Sequence, residues 1–268
     1  MIQFFFSLLV MLGVALTSAH AADGAPDADE TGSAASAIEA HNDHTIILLH
    51  GMGRGRASLW VLDTRLQHAG YKTLNFPYVT HSHSIEELAL QLCDFIGDNV
   101  KTTTYHLIAH SLGNLIIRSG FHHGYPPGLG RIVMLAPPNH PAELARALRD
   151  SPIYRWFTGQ SGQLLGSDDF YAHLPVPDVP FGIIAGNRGQ PVTLREPNDG
   201  VITVESTKLN GMADWTVVPQ AHTFIMNSRA VAELCISFIE TGRFNTNDGV
   251  DADSPENNVR GSNGSPLE

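Results

Sequence analysis

The sequence predicts an α/β fold, a mostly parallel sheet covered by helices on both faces and carrying one short cap insert. Three observations point to it. Short apolar runs alternate with amphipathic helical patterns from about residue 45 to residue 241. The runs are too uniformly apolar for a one-sided sheet, so both faces of each strand are expected to be covered. One run, Tyr105-His106-Leu107-Ile108-Ala109, passes through His110-Ser111-Leu112-Gly113 straight into a helical pattern. That is the layout of a tight strand-to-helix turn holding one hydroxyl in the open.

The elements follow in order. Thr45–Leu49 reads as the first strand. Leu59, Leu62, Leu66 and Ala69 fall at helical spacing and stop at Gly70. Thr73–Tyr78 is the second strand. Ile85–Ile96 is a helix opened by Ser84 as N-cap, with Glu87 completing a capping box. His106–Ala109 is the third strand and Leu112–Ser119 its helix, ending at Gly120. Ile132–Ala136 is the fourth strand, cut by Pro137-Pro138. Phe181–Ala185 and Thr216–Val218 are the fifth and sixth. Ala230–Glu240 closes the domain as a helix ending at Gly242. Residues 138–180 break the alternation, with a helical start at Ala142–Leu148 and then Tyr154, Trp156, Phe157, Phe170 and Tyr171. An insert at this place overhangs the carboxyl ends of the strands, where open α/β sheets bind ligands. Its aromatics fit two roles equally, a lid or acyl-chain wall and simple packing onto the domain.

The two ends read differently. Phe4 to Leu16 is apolar except for Ser7, and small residues stand at 19 and 21. Residues 1–21 therefore read as a signal peptide, although no Lys or Arg precedes the apolar run. The run is shorter than the roughly 20 residues a membrane span needs. A secreted or periplasmic location follows, the alternative being an anchor left uncleaved. Residues 22–43 and 244–268 read as acidic disordered segments around a domain at 44–243. The whole chain carries a formal charge of −11, and its acids concentrate at those ends (Asp23, Asp27, Asp29, Glu30, Glu39, Asp43; Asp248, Asp251, Asp253, Glu256, Glu268). The domain itself is close to neutral, which argues against a nucleic-acid partner. Cys93 and Cys235 lie in helices expected on opposite faces of the sheet, too far apart to be bridged, and are read as buried free thiols.

A serine at position 111 needs a base within hydrogen-bond reach, an acid to orient that base, and donors for an oxyanion. In α/β-hydrolases, whose strand-to-helix elbow the run Ala109-His110-Ser111-Leu112-Gly113 resembles, the acid and then the histidine follow the serine along the chain. His140, His173 and His222 follow the elbow helix, and only His222 stands just past the last strand. Glu196, Asp199, Glu205 and Asp214 lie between the fifth strand and His222. Asp199, on the turn Pro197-Asn198-Asp199-Gly200, is preferred, with Asp214 in reserve. The amides of Leu112, at a helix start, and Met52, in the glycine-rich loop His50-Gly51-Met52-Gly53-Arg54-Gly55, are the oxyanion donors; His50 braces the loop. No metal or other cofactor is expected. His81-Ser82-His83 and His122-His123 lack carboxylates or cysteines at ligand spacing and read as loop histidines. Gly51-x-Gly53-x-Gly55 lacks the dinucleotide fingerprint and its downstream acid.

These pieces together resemble the α/β-hydrolase superfamily, within it the small bacterial lipase and esterase-like group. The resemblance rests on Leu48-Leu49-His50-Gly51-Met52-Gly53, Ala69-Gly70-Tyr71, Phe76-Pro77-Tyr78 with Ser84-Ile85, Ala109-His110-Ser111-Leu112-Gly113, Asn198-Asp199-Gly200-Val201 and His222. Two positions depart from the pattern: Ala109 replaces the usual first glycine of the elbow, and Asn114, where glycine or alanine is common, narrows the space behind the serine. The resemblance implies an α/β-hydrolase fold and a serine hydrolase acting on small-molecule or lipid esters, with transient contact to a lipid interface. A thioesterase, an acyltransferase or a catalytically silent binding module of the same fold are the alternatives. Oligomeric state is left open.

Overall fold

The computed structural model describes residues 43–80, 82–141, 168–189, 194 and 196–245. The signal segment, most of the acidic linker, the helical start at Ala142–Leu148 with Tyr154, Trp156 and Phe157, and the tail from residue 246 lie outside the described residues.

Among the described residues six parallel strands form one sheet: β1 His44–Leu49, β2 Lys72–Asn75, β3 Thr104–His110, β4 Leu129–Leu135, β5 Phe181–Gly186 and β6 Asp214–Val218. Their order across the sheet is β2-β1-β3-β4-β5-β6. The chain starts inside, steps out to β2, and then crosses back to β3. The direction of winding therefore reverses between β1 and β3, and the loops leaving those two strands diverge to open a crevice.

Each strand alternates its side chains between two apolar layers. Ile47, Leu49, Leu107, Ala109, Ile132, Met134 and Ile183 pack beneath α2 (Ile85–Asn99) and α3 (Gly113–Gly120). Ile46, Leu48, Ile108, Val133, Leu135 and Ile184 pack beneath α1 (Trp60–His68) and α5 (Arg229–Thr241). Cys93 lies on α2, over the first layer, and Cys235 of α5 belongs to the second; both are free and buried. Ser84 caps α2 with the full capping box, accepting from the Glu87 amide while Glu87 accepts from its own. Gly242 ends α5 in the left-handed region, φ 77°, as a C-terminal glycine does.

Several boundaries differ from the sequence reading. β2 ends at Asn75, not Tyr78, because Pro77 has no N–H and Tyr78 turns inward to stack on His50. A 3-10 turn, Arg56–Leu59, precedes α1. β4 ends at Leu135, since Ala136 takes φ 43° ahead of the two prolines. Of the insert, α4 (Asp168–His173) is described, and Tyr171 and Phe170 pack onto the α2/α3 layer. Phe244, at the expected start of the tail, is buried against Phe238, and its N–H donates to Asp214.

The roots of the insert are held by one buried cation. Arg118 of α3 donates from Nε to Pro175 O (2.9 Å), from Nη2 to Leu174 O (3.0 Å) and from Nη1 to Asn139 Oδ1 (3.2 Å). Asn139 in turn donates to Thr207 O at 2.7 Å. All three acceptors are neutral, and burial draws the guanidinium down to about 10. Truncation strands two buried acceptors and one half-buried acceptor at once. Arg118→Ala is therefore expected to lower stability by about 3 kcal/mol or more, roughly 10 °C in a thermal melt. An unchanged melting temperature would show that the clamp contributes nothing net.

Candidate active site

Ser111 sits between β3 and α3 with φ 51°, a left-handed backbone that costs a non-glycine residue on the order of 1 kcal/mol. Local bonds hold it there. Its N–H donates to Leu135 O (3.0 Å), and its carbonyl accepts from the Asn114 amide and side chain, both at 3.0 Å. Asn114 thus fills the space behind the serine and ties the turn to β4, donating also to Leu135 O at 3.3 Å. The small residues have a steric reason. A Cβ on Gly113 would stand 3.0 Å from His50 O and from Leu49 Cβ, so helix and strand touch where the sequence requires smallness.

The partners arrive from the other end of the chain. β6 ends at Val218, and the chain returns over the sheet edge to a 3-10 turn at His222–Asn227. His222 Nε2 lies 3.0 Å from Ser111 Oγ, and its Nδ1 lies 2.7 Å from Asp199 Oδ2. The remaining carboxylate oxygen accepts from the Val201 and Ile202 amides at 2.9 and 2.7 Å. The His222 N–H donates to Asp199 O at 2.9 Å, so backbone as well as side chains join these residues. Asp199 is 2 % exposed and His222 8 %. A glycine outside the sequence motifs makes the closure fit. At the end of β5, a Cβ on Gly186 would meet Gln220 O at 2.5 Å and Asp199 Cβ at 3.0 Å. Its signal in the sequence is a glycine on the last position of a buried strand, which marks a close backbone approach.

The competing residues lie elsewhere. Asp214, the reserve acid, opens β6 at the opposite edge of the sheet and accepts from the Trp215 and Phe244 amides. Parallel strands place only their last residues at the site, which removes it. Glu205 pairs with Lys208 at 2.9 Å, Glu196 is exposed, and His140 and His173 are exposed.

The loop after β1 seats directly on the serine. A Cβ on Gly51 would stand 3.1 Å from Ser111 Cβ and 2.8 Å from His110 Nδ1. Among the described residues, neither the Met52 nor the Leu112 amide donates to a backbone carbonyl. Gly53 N–H donates to Thr80 Oγ1 (3.1 Å), and the Tyr78 hydroxyl donates to His50 O. His50 is stacked on Tyr78, ring centroids 4.0 Å apart, and its Nδ1 lies 2.9 Å from Gly51 O. The histidine braces this loop from beneath, away from the serine hydroxyl.

Three buried histidines are held uncharged. Burial pushes His50 down, and burial pushes His110 well down, with the nearby His222 and Arg54 adding to it. His106 is drawn to about 3 by burial, then by His44 and Arg131. His106 Nδ1 accepts from the Arg131 amide at 3.0 Å, so its proton is on Nε2, facing His44 Nδ1 at 2.9 Å. An unfolded chain takes up these protons below about pH 6.5, and the native state takes them up only at lower pH. Folded-state values below the unfolded ones mean stability is intact above about pH 6.5 and declines as pH falls. Each such group steepens that decline by up to about 1.4 kcal/mol per pH unit in the window where only the unfolded chain is protonated. Urea midpoints are expected to be flat between about pH 7 and 8 and to fall steeply below 6. A midpoint level down to about pH 5 would contradict this.

Among the described residues no group of three or more histidine, cysteine or acidic side chains is placed to hold a metal ion. His123 Nε2 instead pairs with Glu86 at 2.9 Å.

No protein-family model matches the chain, and no curated protein is similar to it in sequence. Solved structures do share its architecture. An esterase from Exiguobacterium antarcticum superposes with a TM-score of 0.56 at 14% identity, over 74% of this chain and 92% of its own. A lipase-esterase related protein from Clostridium acetobutylicum gives 0.53 at 14% identity, over 74% and 95%. An extracellular α/β-hydrolase from a Paenibacillus species gives 0.52 at 14% identity, over 72% and 98%. With its parallel six-stranded sheet and the serine at the reversal between β1 and β3, this chain has the α/β-hydrolase fold.

Proposed function

We propose that the chain is an exported serine hydrolase that cleaves carboxylic esters. The observation that carries this reading is the unbroken path from Ser111 Oγ through His222 (3.0 Å) to Asp199 (2.7 Å), on a serine with positive φ. Ser111 Oγ attacks the ester carbonyl while its proton passes to His222 Nε2. The oxyanion accepts from the Met52 and Leu112 amides. The tetrahedral species collapses, and the leaving alcohol takes the proton from His222. Water then attacks the acyl-enzyme by the same route, with His222 accepting its proton and returning it to Ser111. Asp199 holds the imidazole in the tautomer that presents a bare Nε2 to the serine.

The substrate is a small-molecule or lipid ester, and transient contact with a lipid surface belongs to this reading. The esterases and lipase-related proteins among the structural neighbours support ester chemistry. Export rests on the apolar segment Phe4 to Leu16 and the small residues after it. The test is a fluorophosphonate probe on the purified protein, followed by turnover of p-nitrophenyl esters from acetate to palmitate with and without an oil phase. A parallel series of acyl thioesters separates a thioesterase from an esterase. Labelling of Ser111 and ester turnover are expected. A folded protein that neither labels nor turns over any ester would overturn the reading.

A further inference from the structure

His110 is a buried polar group that the ester chemistry above leaves unused. It is the last residue of β3, 2 % exposed, and it lies between two loops. On one side is Gly51, where an added Cβ would stand 2.8 Å from His110 Nδ1. On the other is the His222 segment, whose main-chain carbonyl is 2.9 Å from Nε2. A carbonyl only accepts, so Nε2 carries the proton and donates. The two imidazole rings sit 4.8 Å apart at 49°. Nδ1 is then a bare acceptor, buried with no hydrogen-bond partner among the described residues. The charged or titratable groups that bear on this ring are His222, Arg54 and His50, all basic. A second positive charge here would oppose the imidazolium that His222 becomes during turnover.

We propose that His110, as its Nε2–H tautomer, is a positioning residue that sets the spacing between the oxyanion loop and His222. The proposal rests on the hydrolase reading for its kinetic consequence and on geometry alone for the tether. Residue 222 is held by its backbone at both of its polar groups, the N–H by Asp199 O and the carbonyl by His110. With the peptide planes on both sides of it held, residue 222 cannot change φ or ψ, and its ring stays aimed at Ser111 Oγ. The ring's opposite edge meets Gly51, so the same side chain fixes how far the oxyanion loop stands from the base. Misplacement of such groups by about 1 Å reduces turnover on the order of 10²-fold.

Two variants separate the hydrogen bond from the packing. His110→Phe keeps the ring and loses the N–H; His110→Gln loses the ring and keeps a donor at similar reach. In His110→Phe, kcat on p-nitrophenyl butyrate is expected to fall about 10- to 100-fold with KM within about twofold. His110→Gln is expected to recover most of that loss, with thermal melts confirming that both variants fold. In 15N-edited NMR of the wild-type protein, the His110 ring is expected to show a protonated Nε2 and no titration between about pH 8 and 5. Wild-type kcat in His110→Phe, a Gln variant no better than the Phe variant, or a change confined to KM would overturn the positioning role. An Nδ1–H tautomer, which leaves Nε2 with no proton to donate, would overturn the tether itself, and a charged ring would overturn the neutral tautomer proposed for it. The NMR measurement needs neither variant nor substrate. It therefore decides the tether even if His110→Phe fails to fold, or if the wild-type chain turns over no ester and the hydrolase reading fails.

Discussion

Replacing Ser111 with alanine is expected to lower ester turnover by about 10³-fold or more and to abolish covalent labelling by a fluorophosphonate. The hydroxyl is the only atom lost. Among the described residues its one side-chain hydrogen bond is to His222 Nε2, and the bonds that hold the turn run through the Ser111 backbone and Asn114. Alanine meets the same left-handed backbone at about the same strain, so the fold is expected to survive with a stability change within about 1 kcal/mol. KM is expected to stay near its wild-type value, because the Met52 and Leu112 amides proposed for the oxyanion remain. The residual rate reports what those amides and binding achieve without a covalent step. Full probe labelling of the variant would remove Ser111 from the mechanism.

Asp199→Asn is expected to lower kcat by about 10³- to 10⁴-fold while leaving the fold in place. The direction follows from which oxygens are already engaged. Oδ1 of Asp199 accepts from two main-chain amides, Val201 and Ile202, and Oδ2 accepts from His222 Nδ1. An asparagine must keep its carbonyl oxygen on the two amides, since an NH2 facing them would leave donors opposed. Its NH2 then faces His222, which accepts at Nδ1 and moves its own proton to Nε2. A protonated Nε2 cannot take the proton of Ser111. The variant is therefore isosteric, folded and stalled by tautomer. A kcat within tenfold of wild type would show that Asp199 does not select the tautomer.

Much of this was legible in the sequence because it is local. The elbow needs a β run, a turn of small residues and a helix in consecutive positions, and 105 to 120 supply all three. The N-cap at Ser84, the glycine stop at Gly242 and the turn at Asn198-Asp199-Gly200 are likewise short-range patterns. The local pattern is insufficient where a neighbour from afar decides the outcome. Thr73–Tyr78 alternates well enough for a strand, yet Tyr78 is drawn inward by the ring of His50. Asp214 precedes His222 as an acid should, but its exclusion depends on strand direction. It stands at the start of β6, and the site is built at the strand ends.

His110 shows the same limit at a single residue. By its two-residue period it shares a face with His106 and Ile108, and nothing nearby in the chain says why a histidine belongs there. Its partners are Gly51 and His222, one on a loop after the first strand and the other 112 positions onward.

By itself the sequence determined the parallel α/β architecture and which serine stands on the strained turn, together with the order of its partners. Those properties follow from hydrophobic period and backbone permissiveness over a few residues. Tertiary structure alone decided that Ser111, His222 and Asp199 meet at 3.0 and 2.7 Å, that Asp214 is out of reach and that His110 lies beneath them. Contacts between loops far apart in the chain exist only once the sheet is assembled and its winding reverses, which brings the ends of separate strands to one edge.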